Sequence, residues 1–149
     1  MVGDFFANSL ADGLEEAFEE NADIVVLNRS SGLSGFVRSD IVNWPHELPS
    51  IVEEVKPHYV VLMAGSNDRQ LIREGGVNLK KFTPGWEEAY RKRITSMGAA
   101  LKATDLPFTW VDEIMRNPLL VDMVEDLIGT DILCWNAIFW IKEPGAGSF

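Results

Sequence analysis

Two hydrophobic periods alternate along residues 1–111. Over 9–20, Leu10, Leu14 and Phe18 recur at four-residue spacing, and Glu15, Glu16, Glu19 and Glu20 occupy the other side. That is an amphipathic helix with one apolar stripe. Ser9, followed three places later by Asp12, resembles a capping box at its start. DIVVL (23–27), HYVVLM (58–63) and PFTWV (107–111) are short, continuous apolar runs rich in β-branched residues, as expected of strands covered on both faces. LPSIVEEV (48–55) predicts a short helix stopped by Pro57, and 86–103 predicts a longer one. The stretches 28–36 and 73–85, punctuated by glycine, read as loops. Strand and helix in alternation predict an α/β protein: a parallel sheet with helices on both faces, in three αβα layers.

The tail follows another pattern. Asn117 and Pro118 form a helix start, Leu120, Met123, Val124 and Leu127 form an apolar face, and Gly129 ends it. The run 132–142 then reads as one long strand, with Asn136 its only polar residue before Lys142. Joined after PFTWV, this helix and strand would add a further strand to the sheet. Left uncovered, the run from Ile132 to Ile141 would be an edge through which the chain self-associates.

Composition narrows the function. A chain of 149 residues with 46% hydrophobic content builds a single domain with a real core. Its net charge of −10 repels phosphate backbones, so nucleic acid is not an expected partner. Cys134 is the only cysteine, which leaves no internal disulfide and no thiolate metal cluster. No apolar stretch has the length of a membrane span and no leader-like pattern opens the chain. As written it reads as cytoplasmic. Because Met1 precedes Gly3 by only two residues, an upstream signal segment would make it periplasmic or secreted.

In a parallel sheet, ligands bind at the carboxyl ends of the strands. The loops leaving those ends carry Gly3-Asp4, the 28–36 stretch and Gly65-Ser66-Asn67-Asp68. Backbone N–H groups and an asparagine amide are the donors that an oxyanion requires. VGDFFANSLADGLEEAF, NRSSGLSGFVRSD and VVLMAGSNDRQ, taken together, resemble the SGNH (GDSL-like) hydrolases over residues 1–111. The likeness is closest to a bacterial SGNH-hydrolase-type family whose first block reads Gly-Asp-Phe. This resemblance implies a flavodoxin-like sheet and an ancestral ester or acyl hydrolase, carbohydrate esters included. It implies that Asp4 shapes the first turn and that Gly35 and Asn67 supply the oxyanion hole. It calls for no cofactor and no metal.

The catalytic set is incomplete. Phe5 stands where the resemblance places the nucleophilic serine, and no Asp-x-x-His follows His58. Without a base a serine hydroxyl stays protonated and is a poor nucleophile. Ser9 is a substitute nucleophile if NSLADGL is aligned one block along, or else an N-cap; Ser66 is a weaker substitute. His46 and His58 read as structural or solvated. The first expectation is therefore an SGNH-type protein without its hydrolase activity. The second is a module that binds a small anion or acyl group, with Arg38, Arg69 and Arg73 near the loops. From Val111 onward, VEDLIG, ILCWN and IKEPG resemble part of the phytanoyl-CoA dioxygenase family. That likeness implies a fusion with a truncated Fe(II)/2-oxoglutarate oxygenase, but the tail contains no histidine to hold iron.

Overall fold

The computed structural model describes residues 1–111 and two strands of the tail, 132–135 and 138–141. β1 (Val2–Gly3), β2 (Val60–Met63) and β5 (Phe108–Val111) form a parallel sheet in the order β1-β2-β5. The register pairs Val2 with Leu62, and runs from Val60 opposite Phe108 to Met63 opposite Val111. Helices α1 (Phe5–Ala17), α2 (Trp44–Val55) and α3 (Pro84–Ala103) connect and flank the strands, giving the expected α/β layering. β2 alternates between fully buried Val60 and Leu62 and half-buried Val61 and Met63. Leu62 joins Leu48 of α2 and Ile94, Met97 and Leu101 of α3 in one core. Ala7 and Ala11, one turn apart on α1, are fully buried where that helix lies along β1 and β2. Small side chains there let the helix approach the backbone.

Several boundaries differ from the sequence expectation. α1 begins at Phe5, not at Ser9, because the Asp4 carboxylate accepts the Phe6 N–H (3.1 Å) and caps the helix one turn earlier. Ser9 is therefore an exposed interior residue of α1 and not its N-cap. α2 starts at Trp44-Pro45, upstream of the expected Leu48, and carries Pro49 within its first two turns. The 73–85 loop contains most of a hairpin, β3 (Ile72–Glu74) and β4 (Val77–Leu79). Gly75 and Gly76 both have positive φ (56° and 79°), the backbone that a two-residue hairpin turn requires.

DIVVL is not a strand of this sheet. Val25 is 75% exposed, and Ile24 and Leu27 are also exposed. The chain just after it does follow the edge of β1: Arg29 N–H bonds Met1 O (2.9 Å) and Ser31 N–H bonds Gly3 O (2.8 Å). An edge with a partner on one side only gives apolar side chains less cover than a central strand. The tail run is not one long strand either. β6 (Ile132–Trp135) and β7 (Ile138–Ile141) pair antiparallel as a separate sheet, Ile132 opposite Ile141. Antiparallel neighbours close a short loop and satisfy each other's ladder locally. The expected helix at 118–129 lies outside the described residues.

Candidate functional site

The loops that leave β1 and β2 meet the 28–36 loop, which follows no strand of the sheet, and buried carboxylates bind the three together. Asp4, 1% exposed, follows β1. Its Oδ1 caps α1, while its Oδ2 accepts Gly65 N–H (2.9 Å), Ser66 N–H (2.9 Å) and the Ser66 hydroxyl (2.7 Å). One side chain thus fixes the first corner to the third. Asp68, 2% exposed, does the same for the second and third corners. It accepts Phe36 N–H (3.1 Å), Val37 N–H (2.9 Å) and the Tyr90 hydroxyl (2.9 Å). Tyr90 is held in place by stacking on Trp86, with ring centroids 4.7 Å apart.

Gly35 and Asn67 lie where these ties cross. A Cβ on Gly35 would sit 2.5 Å from Asp68 Oδ1, so only glycine lets the second loop reach the carboxylate. Both Asn67 amide hydrogens go to the second loop, to Gly32 O (3.1 Å) and Ser34 O (2.8 Å). Ser34, fully buried, donates to Gly3 O (3.2 Å) and accepts the Trp44 indole N–H (3.1 Å), which ties the N-terminus of α2 to the same knot. Every buried polar side-chain atom among the described residues is partnered. A fully satisfied network of this kind is rigid.

The other sequence candidates lie apart from the knot. Phe5 opens α1 and is 58% exposed, edge-on to Phe6 at 5.5 Å. Ser9 is on the exposed side of the same helix. His46 Nδ1 pairs with its neighbour Glu47 at 3.2 Å, 77% exposed, and His58 is exposed. Sequence reasoning missed Asp68, Ser34, Tyr90 and Trp44. Asp68 had a usable signal: a carboxylate beside Asn67 in a loop that follows a buried strand.

Burial pushes the Asp68 carboxyl above its ordinary range, against the pull of the Val37, Phe36 and Tyr90 donors, and nearby Asp4 adds to the rise. An acid whose pKa is raised by folding binds a proton more readily in the native state. Its stabilising contribution is complete below the unfolded value of 3.8 and is lost as pH climbs through the raised native value. Asp68→Asn removes that titration and sets an amide NH₂ against a backbone donor, at a cost of about 2–4 kcal/mol. The gap between wild type and variant should be larger at about pH 4 than at about pH 7 in urea unfolding. A gap that widens with rising pH would show the carboxylate to be favoured in its charged form.

A parallel sheet flanked by helices, with the loops after β1 and β2 locked to the 32–37 segment by two buried aspartates and an asparagine, defines an α/β protein. The chain belongs to the family DUF459, described as a protein of unknown function, which matches residues 1–125. The match runs past Val111, from which a likeness to a second family is expected, as far as residue 125. No curated protein matches the chain. No helix among the described residues is long and apolar enough to cross a membrane.

Proposed function

We propose that this chain is an SGNH-hydrolase-type scaffold that has kept the corners of an acyl-ester site and lost the chemistry. The observation that carries this reading is the convergence of Gly3-Asp4, Gly35 and Asn67 around one knot, with Phe5 in the nucleophile position. The corners match the blocks of the resemblance. Two features speak against turnover. Phe5 has no nucleophilic atom, and the Asn67 amide, the expected oxyanion donor, is already spent on Gly32 and Ser34. Asp4 acts here as a tie, engaged by four donors, rather than as an acid or base.

A p-nitrophenyl acetate assay tests it. The wild type should release nitrophenol no faster than buffer, and Phe5→Ser should not restore release, because no histidine follows His58 to take the proton. Turnover that disappears in Ser9→Ala or in Ser66→Ala would overturn the reading and identify the nucleophile.

A further inference from the structure

Beside the knot, and sharing neither Gly35 nor Asn67 with it, lies an open cleft of about 350 Å³ between the 37–40 loop and residues 70–73. That volume falls within the range of about 300–1,000 Å³ typical of small-molecule pockets. Its walls are anchored, since Val37 N–H is held by Asp68 and Gln70 Nε2 donates to Asn67 O (2.8 Å).

The polar groups lining it form a specific inventory. The Arg38 fork is closed on Asp40, Nε to Oδ1 at 2.9 Å and Nη2 to Oδ2 at 3.0 Å. Arg73, opposite, is exposed and makes no ion pair among the described residues. Arg38 holds the Asp40 carboxyl below its ordinary range, and the charge of Arg73 reaches the same group and adds to the effect. One planar guanidinium is therefore open to a bidentate oxoanion. Gln70 spends one amide hydrogen on Asn67 O and keeps its Oε1 as an acceptor for the cleft. Asp40, 62% exposed, has lone pairs left over, and Leu71, 40% exposed, gives an apolar surface.

A bare sulfate pairs with the arginine but turns an oxygen towards the Asp40 carboxylate, which has no proton to give, whereas a hydroxyl-bearing ligand can donate to it. A neutral sugar satisfies the acceptors and leaves Arg73 unpaired. We propose that the cleft binds a sugar carboxylate of the hexuronate class: Arg73 pairs with the carboxylate, Asp40 and Gln70 Oε1 accept ring hydroxyls, and Leu71 packs on the C–H face. This site stands whether or not the neighbouring corners hydrolyse anything.

Calorimetric titration of the whole chain with sodium glucuronate, glucose and sodium sulfate at equal ionic strength tests the proposal. Glucuronate should bind, with glucose and sulfate each weaker by about tenfold or more, the worth of one charge-assisted pair or of the hydroxyl contacts. Arg73→Gln should weaken glucuronate by about tenfold and leave the melting temperature unchanged, because the side chain is exposed. Sulfate binding as tightly as glucuronate would reduce the cleft to an anion patch. Glucose equal to glucuronate, unaltered affinity in Arg73→Gln, or no heat from any of the three would overturn it. The esterase assay does not bear on any of these outcomes.

Discussion

Gly3→Ala is expected to destabilise the fold severely. Two independent penalties act at this position. The backbone sits at φ 140°, a region that residues with a Cβ rarely adopt. A Cβ built there would lie 1.7 Å from Met63 O and 2.9 Å from the Ala7 Cβ. Neither neighbour is the loose end of a side chain. Met63 O is the acceptor for Asp4 N–H (3.0 Å), and Ala7 is fully buried on the inner side of α1. Relief would require β1 to leave β2 or α1 to lift off both. A loss of about 4 kcal/mol or more is expected, against a total of about 5–15 kcal/mol for a domain. Circular-dichroism melting would show a fall of about 10 °C or more, or no transition at all. Gly13→Ala is the control. Gly13 lies in α1 with nothing within 4 Å of its Cβ position, so alanine there should add about 0.5–1 kcal/mol. Equal melting of the two variants would mean that β1 is not where the sheet places it.

How much of this was legible in advance depends on whether a feature was local. The strands HYVVLM and PFTWV announced themselves, since Val60, Leu62 and Trp110 are apolar and buried in the one core. The end of α2 was equally readable: Lys56 takes a left-handed φ of 45° and Pro57 follows. DIVVL carries the same apolar signal as HYVVLM and became an exposed edge segment, because composition does not say which strand is central. The Ile72–Leu79 hairpin had an overt marker in Gly75-Gly76, yet three-residue strands are too short for alternation to stand out. At the site, the three corners were readable from their Gly, Asn and Asp, although the strand expected before the second one does not form. The partners of those groups were not. Asp68 reaches Phe36 and Val37 across about thirty positions of sequence, and Tyr90 comes from a helix with its own amphipathic rationale. A resemblance that assigns Asn67 to an oxyanion also does not reveal that both its amide hydrogens serve the neighbouring loop.

Asp4→Ala should be nearly as damaging as the glycine change, and the way it fails separates two roles of one carboxylate. Removing the side chain leaves Phe6, Gly65 and Ser66 N–H and the Ser66 hydroxyl without their acceptor. The cap alone is worth about 1 kcal/mol. The Gly65 group is buried, and each unsatisfied buried donor costs about 1–3 kcal/mol. A total loss of about 3–5 kcal/mol is expected in urea unfolding. Asp4→Asn keeps one oxygen. If that oxygen stays with the three donors of Gly65 and Ser66, the amide nitrogen faces Phe6 N–H and the cap is lost, which costs about 1–2 kcal/mol. The ordering Ala worse than Asn, with Ser66→Ala mild at about 1 kcal/mol, is what a tie between two strand ends produces. In hydrogen exchange, Asp4→Asn should speed the first-turn amides of α1 while leaving Gly65 protected. Loss of protection at Gly65 with the α1 amides intact would reverse the assignment of the two oxygens. Asp4→Ala as stable as wild type would mean that the first and third corners hold together without this carboxylate, and the knot would then be closed by Ser34, Asn67 and Asp68.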